Sequence, residues 1–187
     1  MFDKRLLEQI SEARLKVKQG EVIAYPTEAV FGLGCDPLNQ QAVEHLLGLK
    51  QRPQSKGLIL IAAEVNALNR FCKLHNQAWS DKVLDSWKKT DQAITWLIPK
   101  TDICPNWISG EHDSVAVRLS HHPIVQALCG DGVLVSTSAN PASLSPAKNC
   151  QQVAEYFNQQ VWCLEAALGG LANPSQIWDA QTDQRLR

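Results

Sequence analysis

Residues 57–63 read Gly-Leu-Ile-Leu-Ile-Ala-Ala, an apolar run with no polar alternation. A strand of this kind has to be covered on both faces. Cover on both faces means layers, and the rest of the chain supplies them. Residues 5–18 carry Leu6, Leu7, Ile10, Ala13, Leu15 and Val17 on an imperfect helical face that Gly20 ends. Residues 40–49 repeat the pattern, with Asn39 as cap and Pro53 closing the segment. Shorter helices are predicted over 67–72, 76–87, 122–129 and 151–157, the third opened by Pro123. Strands are predicted over 21–25, stopped by Pro26, and over 93–98, 114–119, 132–135, 161–164 and 176–178. Helices and strands interleave, which gives an α/β or mixed α+β sheet with covering helices. No repeat, low-complexity stretch or linker interrupts 1–187, so a single domain is expected.

The formal net charge is -1. Bulk attraction to nucleic acid is therefore not expected, and any anion must be held by a local cluster. No apolar run approaches the length of a membrane span. The opening Met1, Phe2, Asp3, Lys4, Arg5 lacks the apolar core and small residues of a signal peptide, so a cytoplasmic location is expected. Cys35, Cys72, Cys104, Cys129, Cys150 and Cys163 form no CxxC or CxxH pair. Neither a metal site nor a disulfide framework is expected, and all six are read as small buried hydrophobes. His121 and His122 lack metal-ligand spacing and are read as surface or capping residues. The six tryptophans are scattered, as core or rim residues would be.

Four segments carry candidate chemistry. Lys50, Arg52 and Lys56 fall within seven residues. Pro53 pushes Arg52 into an extended conformation, and in an extended exit Lys50 and Arg52 would project together. Such a cluster suits a polyphosphate, or it is a solvated charged loop. Thr27 lies where a strand gives way to a turn, a place where ligands gather in open α/β sheets, and a strand-to-helix turn is the plainer reading. The segment 133–141, Val-Leu-Val-Ser-Thr-Ser-Ala-Asn-Pro, puts Ser136, Ser138 and Asn140 in a turn able to hold a phosphate or carboxylate. A nucleophilic serine would need a G-x-S-x-G elbow, which is missing. Arg118 ends an apolar strand and so faces a cleft or sits in a buried ion pair.

Taken in order, YPTEAVFGLG, LKQRPQSKGLILIA, VAVRLSHHP, VSTSAN and NPSQIWD resemble the YrdC/TsaC family of threonylcarbamoyl-AMP synthases in its compact bacterial form. The likeness runs from Glu21 to Asp179. It implies a twisted, open mixed sheet flanked by helices, with a concave positively charged groove. It implies synthesis of L-threonylcarbamoyladenylate and pyrophosphate from L-threonine, bicarbonate and ATP. The product would pass to a tRNA threonylcarbamoyl transferase complex that modifies adenosine beside the anticodon. By resemblance, Lys50 and Arg52 are the catalytic phosphate clamp. Thr27, Lys56 and Arg118 would bind threonine. Thr95, Ser136, Ser138, Asn140 and Ser175 would join Lys50 and Arg52 around ATP. Mg²⁺ would arrive with the nucleotide, with no protein metal site and no membrane partner. Two stretches depart from the family. Residues 88–94 replace its Trp-Pro-Gly-Pro stretch, and 141–145 replace its Asn-Leu-Ser-Gly; both lie on the nucleotide side. The competing readings are a non-catalytic module holding double-stranded RNA in the groove, and the related domain of the much larger hydrogenase-maturation carbamoyltransferases.

Overall fold

A computed structural model describes residues 2–142 and 144–187. Its centre is a mixed sheet in the order β7-β1-β2-β6-β3-β5-β4-β8. The strands are β1 (Ile23–Pro26), β2 (Phe31–Gly34), β3 (Ile59–Ala62), β4 (Ile94–Pro99), β5 (Ser114–Leu119), β6 (Val133–Ser138), β7 (Trp162–Cys163) and β8 (Gln176–Asp179). β3 is the 57–63 run, and it lies inside the sheet between β5, to which it is parallel, and β6, to which it is antiparallel.

Helix α1 (Lys4–Lys18) starts at Asp3, whose carboxylate accepts from the Leu6 amide. Helix α2 (Gln40–Lys50) starts at Asn39 in the same way and stops at Gln51, which takes a left-handed conformation. The chain then forms a 3₁₀ turn (Gln54–Lys56). Four more helices follow: α3 (Val65–Leu68), α4 (Ser80–Trp87), α5 (Asn106–Ser109) and α6 (Pro123–Cys129). Helix α7 (Cys150–Tyr156) is the last of the described helices.

The two faces of the sheet differ. Leu60, Val117, Val135, Trp96 and Leu33 pack on one face against α2 and α4, through Val43, Leu46 and Val83. On the other face, Ile23, Tyr25, Ile61 and Leu134 meet α1 and α6, through Ile10, Ala13, Ile124 and Leu128. That second core covers one end of its face only. Towards the other end, Ile59, Ala116, Leu97 and Ser136 occupy facing register positions and line a cavity instead.

Several expectations need correction. The glycine-rich 31–34 segment is not a strand-to-helix turn; it is β2, the second arm of a hairpin with β1. β1 does end at Pro26, which is itself the last paired residue, opposite Phe31, where its lack of an amide hydrogen is tolerated. Helix α5 went unrecognised because four residues carry too little periodicity. Cys150 and Cys163 are not separate buried hydrophobes; they form a disulfide with their Cα atoms 5.7 Å apart. The first residue of α7 packs beside the short strand β7, which no spacing rule could anticipate. The other four cysteines are free and buried, and burial pushes the Cys35, Cys72 and Cys129 thiols up to about 12.

Candidate active site

The cavity encloses about 480 Å³, within the range of small-molecule sites. Its floor is the uncovered part of the sheet. Cross-strand pairing sets Thr95 opposite Arg118 on one side and Ile177 on the other. One row along, Ser136 is paired with Ile59. Arg118 therefore rises from the middle of an otherwise small and aliphatic floor, and it is buried.

Arg118 is both of the things its sequence position allowed. It lines the cavity, and its guanidinium forms an ion pair with the Glu28 carboxylate. Glu28 also accepts from the Ser120 hydroxyl at 2.6 Å. Burial lowers the Arg118 pKa to about 10, and nearby Arg187 adds to the lowering while Tyr25 opposes it. Thr27, just before Glu28, donates its hydroxyl to the Val30 carbonyl at 2.7 Å. Its oxygen keeps acceptor capacity at the cavity wall.

The cations Arg52, Lys56 and Arg187 also line the cavity. Arg52 donates to the Gly57 carbonyl at 2.9 Å, which braces the guanidinium across the 3₁₀ turn. Gly110 seals the back of that turn: its φ is +65°, and a Cβ there would stand 2.4 Å from the Ser55 carbonyl oxygen. Arg187 donates to the Ser175 carbonyl at 2.9 Å, carried there by a terminal segment that bonds back to Ile177. Burial lowers the pKa of Arg52, with Arg187 contributing, and burial lowers that of Arg187. The two guanidiniums are thus close enough to feel one another.

A family model described as "Telomere recombination", that of Sua5, YciO and YrdC, matches residues 16–187. The chain belongs to the Sua5/YciO/YrdC family. Among its relatives, the threonylcarbamoyl-AMP synthase of Hydrogenovibrio crunogenus is 48% identical over 180 residues, covering 95% of this chain and 96% of that protein. The threonylcarbamoyl-AMP synthase of Acinetobacter baylyi is 45% identical, covering 97% and 98%. P. abyssi Sua5, solved in complex with L-threonine, superposes with a TM-score of 0.76 at 26% identity. That match covers 91% of this chain and spans about half of the archaeal protein, 51%.

Within this family frame, the expected site residues divide. Thr27, Arg52, Lys56, Arg118, Ser136, Ser138 and Ser175 all line the cavity. Lys50, Thr95 and Asn140 do not line it; two of them support residues that do. Lys50 is not in an extended exit beside Arg52, as the sequence suggested. It is the last residue of α2, and the left-handed Gln51 separates the two. Its ammonium donates to the Ser138 carbonyl at 2.5 Å and the Asn140 carbonyl at 2.7 Å. Burial, with Arg52 nearby, lowers its pKa to about 8. Thr95 donates to the Ser175 hydroxyl at 2.8 Å. Asn140 turns its amide onto the Pro141 and Leu144 carbonyls. Ser136 and Ser138 belong to β6 and not to a turn.

Two features of the site escaped the sequence reading. Glu28 and Ser120 sit inside quoted motifs, yet nothing in their spacing shows that they meet. Arg187 lies beyond the last motif, and only the return of the chain along β8 brings it in. His122, read as a surface or capping residue, is the latter: it is buried, caps α6 through Nδ1, and holds the Ala167 carbonyl with Nε2.

Proposed function

We propose that the chain is a threonylcarbamoyl-AMP synthase, joining L-threonine, bicarbonate and ATP into L-threonylcarbamoyladenylate with release of pyrophosphate. The product serves modification of adenosine beside the anticodon, and a tRNA threonylcarbamoyl transferase complex in the cytoplasm receives it. The observation that carries this reading is the meeting of Arg52, Lys56, Arg118 and Arg187 with the hydroxyls of Thr27, Ser136, Ser138 and Ser175 around one cavity. Relatives at 45–48% identity bear the synthase name.

No protein nucleophile is needed. Arg118 pairs with the amino-acid carboxylate, with Thr27 and Lys56 beside it. The amine attacks carbon dioxide, formed from bicarbonate, and loses a proton as the carbamate forms. A carbamate oxygen then attacks the α-phosphorus of ATP in line, and the bond to the pyrophosphate oxygen breaks. Arg52 and Arg187 offset charge growing on the leaving pyrophosphate. Lys50 acts one step back by fixing the Ser138–Asn140 carbonyls. Mg²⁺ enters as part of the nucleotide substrate. Among the described residues no three His, Cys, Asp or Glu side chains cluster as a cage, and the one carboxylate lining the cavity, Glu28, is already paired.

Pyrophosphate release from ATP tests the reading. It should require both threonine and bicarbonate, and Arg52→Ala should slow it by about 100-fold or more. RNA binding without threonine-dependent release would replace this reading with that of an RNA-binding module.

A further inference from the structure

The cavity raises a question of charge. Glu28 is the only acidic residue among its described lining residues, and it is spent on Arg118. An arginine meant for a substrate carboxylate thus already holds a carboxylate of its own chain. The Glu28 and Arg118 side chains are 13% and 10% exposed, so the pair is built in and not a surface accident. Isolating either charge there would be costly.

Glu28 is fixed from several directions. Ser120 is fully buried, donates its hydroxyl to Glu28 at 2.6 Å, and accepts from the His122 amide at 3.2 Å. The Leu171 amide bonds the Glu28 carbonyl at 2.9 Å. A guanidinium has two usable edges and a rigid plane. A carboxylate locked on one edge sets that plane and leaves the rest of the fork to the cavity. Arg187 lines the same cavity and acts on Arg118, so an unanchored Arg118 would be pushed away from it.

We infer that Glu28, steadied by Ser120, is a positioning residue that aims Arg118 at the carboxylate of the amino-acid substrate. The inference rests on the proposed synthase reading and adds a determinant of amino-acid affinity to it. Glu28 does not take part in the bond-making steps.

The experiment compares wild-type protein with Glu28→Gln, Glu28→Asp and Ser120→Ala in threonine-dependent pyrophosphate release, and by calorimetric titration of threonine without ATP. Glu28→Gln should raise the KM and Kd for threonine by about ten-fold or more, the scale of losing one charge-assisted hydrogen bond. The KM for ATP and kcat should stay within about three-fold. Glu28→Asp should restore part of the affinity, and Ser120→Ala should weaken threonine in the same direction but less. If Glu28→Gln fails to fold, judged by its thermal unfolding curve, Ser120→Ala decides by the same split. A fall in kcat at unchanged KM would overturn the inference in favour of a proton acceptor. Equal loss for both substrates, or no change, would overturn it as well. Absence of threonine-dependent release in the wild-type protein would instead sink the synthase reading, and this inference with it.

Discussion

At the scale of single residues, Lys50 is the side chain whose position changes its expected job. Read from the sequence it pairs with Arg52 as a clamp; in the structure it ties the end of β6 to the end of α2 through two carbonyls. Its pKa of about 8 makes that tie sensitive to pH. Raising the pH through about 8 converts the ammonium to an amine, so the charge holding both carbonyls is lost on the alkaline side. Turnover should therefore fall as pH rises past 8. A pH–rate profile checks this, and Lys50→Met should lack that limb whatever activity it keeps. Residue types at Arg52, Thr27 and Arg118 were legible because cations and hydroxyls at turns and strand ends point to anions. Their partners were not legible, since Glu28 and Ser120 meet only after β1 and β5 are placed in one sheet.

At the scale of elements, helices were read well where a long apolar stripe meets a cap or a terminating glycine, as in α2 with Asn39 and α1 with Gly20. The 57–63 and 114–119 strands were also clear. The β1–β2 hairpin was not, because the stretch from Thr27 onward reads as a strand-to-helix turn until the pairing of β2 with β1 is seen. A Cβ on Gly34 would stand 2.7 Å from both the Tyr25 ring and the Val135 carbonyl oxygen. The glycine is there for space and not for a turn. Gly34→Ala should cost roughly 1–3 kcal/mol of stability, read as a lower midpoint in chemical denaturation. The missed length of β6 has a similar cause: Ser136, Thr137 and Ser138 carry turn-like side chains on a strand whose outer face lines the cavity.

At the scale of the whole molecule, interleaved elements gave the layered sheet, while strand order could not be read from local pattern. The order matters because it gathers residues from both ends of the chain. The Cys150–Cys163 disulfide joins elements 13 residues apart. A loop of that length corresponds to about 3 kcal/mol in the chain-entropy model. Oxidised protein should melt above protein treated with dithiothreitol, and Cys150→Ser should abolish the difference in a calorimetric scan. One further link spans the molecule. The amides of Gly169 and Leu171 bond the carbonyls of Thr27 and Glu28, so a late segment is strapped across the first hairpin. These two N–H groups are built-in reporters: deuterium uptake there would slow whenever a bound amino acid steadies the turn beneath, giving a label-free titration of occupancy.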